Sequence, residues 1–312
     1  MGFEKLNQLA KEQIPCLLLS DFKGENVEVI PLAELKAHDI EFTIEHRQTY
    51  KEHPHNLQKF PIPFKEYKKK FDQVIENIKE GNTYIFNLTQ PTPIETTLSL
   101  KEIYSLANAR YKLRYKNDFV CFSPEKFVRI EDNTISTFPM KGTIDASIED
   151  AKEKILANEK EMAEHIMIVD LLRNDLSIVA RDVKVEQFRY IEEIYAGEKE
   201  LLQVSSHISG KLESNWHENL GEILKALLPA GSISGTPKKS TVELIERIEG
   251  YERGYFTGVF GVFDGESFDS GVMIRYIEKN GENYFYKSGG GITLESDAES
   301  EYQEMCDKIY LP

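Results

Sequence analysis

The spacing of apolar residues switches repeatedly between a helical and an extended period along this chain. From Phe64 onward, Tyr67, Phe71, Val74, Ile75 and Ile78 fall on one helical face, and Gly81-Asn82 ends the run. "TYIFNLTQ" then reads as a strand, and Ser99-Leu-Lys-Glu102 is a capping box that opens another helix. "FVCFS" and "KFVRIEDNTISTF" are strands, the second a hairpin turning at Asp132-Asn133. One long helix is predicted from Ser147 to Leu176, followed by strands at 183–188 and 200–212 and helices at 217–228 and 240–249. The segment from Tyr255 to Gly291 reads as three strands with turns at Asp264-Gly265 and Asn280-Gly281, and a helix from Asp297 to Tyr310 closes the pattern. Before Phe64, "CLLLSDFKGENVEVIPL" gives two short strands, and the polar, Pro-rich residues 46–63 read as a connector. Within it His53 and His55 have no further ligand spacing and read as solvated. Hairpins interspersed with single helices predict an antiparallel α+β fold.

Composition narrows the function. A chain of 312 residues with 40 % hydrophobic and 29 % charged residues can bury a large core in one or two domains. No apolar run reaches the length of a membrane span, and the N-terminus lacks the pattern of a secretion signal, so a cytoplasmic protein is expected. The net charge of −15 disfavours nucleic acid and anionic membranes as partners. An anionic substrate would need a local positive pocket or a bridging cation. Cys16, Cys121 and Cys306 form no CxxC, so neither disulfides nor structural zinc are expected.

Candidate chemistry begins with paired carboxylates. Glu161 and Glu164 are three apart in a helical segment, with Met162, Ile166 and Val169 as its apolar stripe; Glu301 and Glu304 repeat the spacing, with Lys308 one turn on. Either pair alone is an ordinary solvated face, whereas two pairs together could clamp a hard cation such as magnesium. "PAGSISGTPKKS" has the wrong glycine spacing for a nucleotide loop. Gly289, Gly290 and Gly291 could form a flexible turn or let backbone N–H groups approach an anion. Lys141, in "STFPMKGTID", is by itself either a solvated turn residue or a presented nucleophile.

These pieces, in this order, resemble the chorismate-utilising enzymes: anthranilate synthase and aminodeoxychorismate synthase components I, isochorismate synthase and salicylate synthase. The resemblance rests on "SPEKF", "FPMKGT", "KEMAEHIMIVDLLRND", "QVSSHISG", "PAGSISGTPK", "RGYFTGVFG", "IRY" and "GGGITLESDAESEYQE", and runs from about Tyr67 onward. It implies two related halves of mainly antiparallel sheet flanked by helices, with residues 1–60 a shortened N-terminal region and 61–312 the catalytic domain. Anthranilate synthases usually carry alanine where Lys141 stands and aminodeoxychorismate synthases commonly carry lysine. The resemblance therefore implies amination of chorismate at C4, serving 4-aminobenzoate and folate synthesis. Lys141 would be a covalent nucleophile, whose amine must be neutral to attack, so its surroundings are expected to lower its pKa. Glu125 would be the general acid, and His207 would sit near the substrate ring. Glu164 and Glu304 would ligate magnesium, with Glu161 and Glu301 on its waters. Gly142, Thr143, Thr236, Tyr255, Arg275, Gly289, Gly290, Gly291 and Lys308 would contact the substrate.

Two positions depart from the family pattern. Ile85 stands where glutamine, or lysine in the water-adding members, is common, which argues against isochorismate or salicylate synthesis. Ile144 replaces the arginine that usually follows Gly-Thr. Anthranilate synthase component I is the rival expectation, and a non-catalytic chorismate-binding subunit is the alternative of another class. With no glutamine-hydrolysing motif in view, ammonia is expected from a separate amidotransferase subunit.

Overall fold

The computed structural model describes residues 1–44, 56–196 and 199–311. Helix α1 (Gly2–Lys11) precedes strands β1 (Cys16–Ser20), β2 (Val27–Pro31), β3 (Ile40–Ile44) and β4 (Leu57–Lys59). Helix α2 (Phe64–Lys79) leads into β5 (Ile85–Thr96), and α3 (Leu100–Leu106) into β6 (Tyr111–Tyr115), β7 (Phe119–Ser123), β8 (Lys126–Glu131), β9 (Thr134–Thr137) and β10 (Met140–Asp145). The middle of the chain forms α4 (Ala151–Ala157), α5 (Glu159–Val179), β11 (Arg181–Ala196), β12 (Lys199–Lys211), α6 (Leu220–Leu227), β13 (Gly235–Thr236) and α7 (Lys238–Glu249). Strands β14 (Val259–Phe263), β15 (Phe268–Val272), β16 (Tyr276–Asn280) and β17 (Asn283–Ile292) precede α8 (Ala298–Asp307).

Two antiparallel sheets result, as the α+β reading requires. One runs β10-β12-β9-β8-β15-β14-β1-β2 with β11 beside β12; the other runs β13-β5-β17-β16-β7-β6-β3 with β4 beside β5. The main core draws on both sheets and on the helices, through Leu18, Phe86, Val128, Ile208, Phe263 and Ile292. Strands β1 and β2 belong to the first sheet and β3 to the second, so the boundary expected near residue 60 is not a break in the sheets.

Several expected elements change for identifiable reasons. The long helix from Ser147 divides at Asn158, whose extended backbone and side chain, accepting from the Glu161 N–H at 3.0 Å, start α5 afresh. The strand expected at 183–188 runs instead from Arg181 to Ala196 in β11, and the one at 83–90 continues through Pro91 and Pro93 to Thr96. Those prolines donate nothing, yet β17 pairs alongside both and the Pro93 carbonyl accepts from Phe60 N. Part of the expected connector is β4; residues 46–55, with His53 and His55, lie outside the described residues.

The predicted C-terminal meander is instead four strands, and it changes sheet in the middle. Strand β15 pairs within the first sheet and β16 within the second, and Arg275, with φ +51°, lies at the crossover between them. The glycine run is not a turn either: Gly289, Gly290 and Gly291 continue β17 and pair with Thr89, Leu88 and Asn87 of β5. Nor do Met162 and Ile166 form a buried stripe. They are 38 % and 48 % exposed, because α5 turns Glu164 and His165 inward and packs through Ile168, Val169 and Leu172.

Candidate active site

Helix α5 and helix α8 each bring a carboxylate pair over a glycine of a strand. On α5, a Cβ added to Gly142 would stand 3.3 Å from Glu161 Oε2. Gly142 has φ +90° and occupies an irregularity in the pairing of β10 with β12, a conformation that favours glycine. On α8, a Cβ on Gly290 would lie 3.3 Å from Glu301 Oε2 and 3.4 Å from Glu304 Oε1. The helix is fixed by Asp297, which caps it through Ser300 N, and Glu301 is held by Ser296 Oγ at 2.8 Å.

Each pair also meets a lysine. Lys141 Nζ is 2.6 Å from Glu164 Oε2, and Lys308 Nζ is 2.5 Å from Glu304 Oε1 and donates to the Gly289 carbonyl at 2.8 Å. The two halves face each other closely enough for their charges to interact. Burial works against the Lys141 ammonium, but Glu164, Glu161 and Glu304 overcome it and hold its pKa above the ordinary lysine value. This corrects the expectation of a lowered value, which left out the surrounding carboxylates. Lys308 goes the other way: burial, then Arg275 and Lys141, outweigh Glu304 and lower it.

Glu125 and Arg275 lie within electrostatic reach of each other and of Lys308. Glu125 sits between β7 and β8, where its N–H takes Ser123 Oγ and its carbonyl takes Val272 N. Its carboxylate accepts from Ser232 Oγ. Desolvation raises its pKa, and the opposing pull of Ser232, Lys308 and Arg275 does not cancel that rise, so the group favours the protonated form. The Arg275 guanidinium lies over the Tyr310 ring at 5.4 Å, and its buried Nε lacks a hydrogen-bond partner among the described residues. Arg275, Glu304, Lys308 and Tyr310 border an open cleft of about 690 Å³. Ile85 flanks the glycine strand, with its Cδ1 3.7 Å from a Cβ position on Gly291.

Three expected contacts fall elsewhere. Tyr255 donates to Glu28 at 3.1 Å and packs among Tyr115 and Phe119, in a core cluster beneath the sheets. The His207 ring stacks on Phe138 at 4.6 Å and bonds Ser136 Oγ at 3.1 Å; its charged neighbours are Glu186 and Lys126, not the helix carboxylates. Thr236 pairs with Ile85 in β13 and its carbonyl takes Tyr84 N and Thr83 Oγ1. Thr143, next to Gly142, is exposed and lies opposite Gln203.

Sequence reasoning also missed residues that shape the site. Ser232 holds Glu125, and its position inside "PAGSISG" was the available signal. His165 bonds Ser206 Oγ at 2.7 Å, and Gln203 carries a buried Oε1 with no hydrogen-bond partner among the described residues. Both are polar residues inside apolar runs, a pattern that marks a buried polar contact.

The donors suit a hard cation: four carboxylates on two helices, including a buried Glu161 Oε2 without a hydrogen-bond partner among the described residues. As placed, the described residues include no group of three or more His, Cys, Asp or Glu that converges on one ion. Glu164 and Glu304 are turned to Lys141 and Lys308 instead.

Comparison with known proteins agrees with this architecture. Residues 17–311 match a family model described as chorismate binding enzyme. A Haemophilus influenzae protein named as an uncharacterized PabA-like protein is 46 % identical over 99 % of this chain and 95 % of its own length. Aminodeoxychorismate synthase component 1 of Bacillus subtilis is 31 % identical over 82 % of this chain, which spans 57 % of that protein. The crystal structure of anthranilate synthase component I from Streptococcus pneumoniae superposes with a TM-score of 0.68 and 25 % identity, covering 84 % of this chain and 60 % of that one. Among the described residues no helix is long and apolar enough to cross a membrane.

Proposed function

For a chain that belongs to the chorismate binding enzyme family, we propose the activity of an aminodeoxychorismate synthase component I: chorismate and ammonia give 4-amino-4-deoxychorismate and water. The observation that carries this reading is Lys141. It stands 2.6 Å from Glu164, within the field of Glu161 and Glu304, and across the cleft from Lys308.

Lys141, once it has given up its proton, attacks C2 of the ring with its nitrogen lone pair. The ring double bond shifts, the C4–oxygen bond breaks, and Glu125 transfers its proton to the departing hydroxyl, which leaves as water. Ammonia then forms the bond to C4, the double bond returns, and the lysine leaves C2 as an amine. Arg275 and Lys308 take the substrate carboxylates, Arg275 through its unsatisfied Nε edge. Magnesium would be held by Glu164 and Glu304 once they turn from their lysines, with Glu161 and Glu301 on its waters. Bound there, the ion would supply positive charge to offset the substrate carboxylate and the carboxylates around Lys141. Ile85 puts an apolar side chain, which cannot act as a base, beside the glycine strand.

Likeness to the anthranilate synthase structure keeps that activity as the second reading. The test is to incubate the purified chain with chorismate, magnesium and an ammonium salt and identify the product by mass. Retention of the enolpyruvyl group supports amination at C4; release of pyruvate with anthranilate establishes the rival. A separate amidotransferase would supply the ammonia, so glutamine is expected to support no turnover by this chain alone. Hydrolysis of glutamine by the isolated chain would overturn that part.

A further inference from the structure

Glu125 lines a small cavity of about 20 Å³, enough for one water molecule. Ser232, Asp175 and Thr137 are the other polar groups of its wall besides Lys126. Asp175 comes from the C-terminal half of α5, well past the Glu161–Glu164 pair. It is buried, and its Oδ2 lies 2.9 Å from Lys238 Nζ. Lys238 also donates to the Leu227 carbonyl at 3.0 Å, and its side chain is 19 % exposed, so this pair leads from the cavity toward solvent. The chain tightens around the link: a Cβ on Gly231, next to Ser232, would stand 2.8 Å from Asp175 Oδ2.

A general acid must recover its proton after every turnover. The charged groups that act on Glu125 are Lys308 and Arg275. We propose that Asp175 is a positioning and proton-relay residue for Glu125, acting through a single water held in this cavity. The inference rests on the reading of Glu125 as the acid. In the relay, Asp175, a carboxylate paired with Lys238 at rest, first takes a proton from solvent; the cavity water then gives one proton to the Glu125 carboxylate and takes that one from Asp175, so the atoms and charge balance. Burial raises the pKa of Asp175 against the pull of Lys238, which eases this transient protonation. The remaining charged group of the cavity wall, Lys126, is engaged by Asp269 at 3.4 Å.

Two substitutions separate a relay from a simple ion pair, because they move Glu125 in opposite directions. Asp175→Asn removes a negative charge across the cavity and leaves Lys238 unpaired, which favours the Glu125 carboxylate. Lys238→Met removes a positive charge and disfavours it. We expect Asp175→Asn to lower kcat about tenfold with the chorismate KM changed less than about twofold, and to shift the alkaline limb of kcat to lower pH. Lys238→Met should keep kcat within about threefold and shift that limb to higher pH. Equal losses in both variants, with the limb unmoved, would reduce Asp175–Lys238 to a structural pair and overturn the proposal.

A measurement that needs no turnover keeps the two readings apart. In the metal-free protein, the infrared band of the protonated Glu125 carboxyl is assigned by its loss in Glu125→Gln. It should titrate at lower pH in Asp175→Asn and at higher pH in Lys238→Met. If Asp175→Asn fails to fold, Lys238→Met alone decides, and an unshifted band overturns the relay. Wild-type kcat in Glu125→Gln would instead remove Glu125 as the acid, while the band shifts would still report its coupling to Asp175.

Discussion

Lys141 Nζ lies 2.6 Å from Glu164 Oε2, joining strand β10 to helix α5 with the lysine side chain 27 % and the glutamate 7 % exposed. Removing the lysine leaves a buried carboxylate without its cation, which costs more than the pair itself contributes. We expect Lys141→Met to destabilise the metal-free protein by about 1–3 kcal/mol at pH 8, read from urea unfolding. The sign of the pH dependence follows from the raised Lys141 pKa. Its contribution is complete below the unfolded lysine value of about 10.4 and fades as pH rises through the higher folded value. The difference between wild type and variant should therefore hold from neutrality to about pH 10 and shrink above it. A difference that vanished already between pH 7 and 9 would contradict the pairing.

The metal assignment makes a separate demand. Glu304 is engaged by Lys308 and borders the open cleft, so the neutral isostere should fit without disturbing α8. Turnover is expected to stop in excess chelator and return with magnesium. Glu304→Gln should weaken magnesium binding at least about tenfold, measured by calorimetry. Undiminished activity in chelator would remove magnesium from the mechanism.

Adjacent glycines should respond differently to the same methyl group. At Gly289 a Cβ would lie 2.1 Å from the Leu88 carbonyl oxygen, a backbone atom of the paired strand that cannot move aside. At Gly290 the nearest atoms are side-chain ends, Glu301 Oε2, Glu304 Oε1 and Lys308 Nζ, at 3.3, 3.4 and 3.7 Å. Gly289→Ala is thus expected to lower the melting temperature by several degrees, a loss of about 1–3 kcal/mol. Gly290→Ala should melt near wild type but bind magnesium and chorismate more weakly. The reverse order would mean that the glycine strand does not lie against α8 as described.

How far the sequence could be read depended on whether a feature was local. The capping box at Ser99, the Asp132-Asn133 turn and the helix from Phe64 are set by neighbours within a few residues, and all were legible. The two carboxylate pairs were legible as pairs for the same reason. Arg275 was not legible as a crossover, because "SGVMIRY" carries no turn signal and its left-handed φ is imposed by strands leaving for different sheets. Tyr255 looked like a substrate contact inside "RGYFTG", yet its partner, Glu28, is more than two hundred residues away. Asn158 was the missed local signal, an N-cap with Glu161 three residues on. Met162 and Ile166 misled because a helix that turns carboxylates inward exposes apolar residues its sequence would bury. The state of Lys141 depended on charges from two distant helices, beyond any local pattern.

Acid sensitivity should trace to His165. The ring is fully buried, and burial together with Arg189 pushes its pKa down to about 4 from the ordinary 6.5. Because the unfolded chain binds this proton first, stability falls as pH drops from about 6.5 toward 4. The shift corresponds to roughly 3 kcal/mol, an order-of-magnitude figure. Replacing the residue by asparagine should flatten that part of the stability profile relative to wild type. Parallel profiles for the two proteins between pH 6.5 and 4 would show that the imidazole does not resist protonation in the fold.

The covalent role of Lys141 is best tested on the unmutated protein. Chorismate and magnesium without ammonia should let the first half of the reaction run, in which the amine bonds to C2 and water leaves C4. The second half then has no nucleophile, so the ring remains attached to the tryptic peptide containing Lys141 and is detected by its added mass. Adding an ammonium salt before digestion should discharge it. Lys141→Ala removes the attachment point, so no adduct can form there, while direct entry of ammonia at C4, at a reduced rate, stays open. Residual amination in the variant therefore does not decide the question. Absence of the adduct in wild type, together with wild-type rate and product in Lys141→Ala, would leave Lys141 as the counter-ion of Glu164 and nothing more.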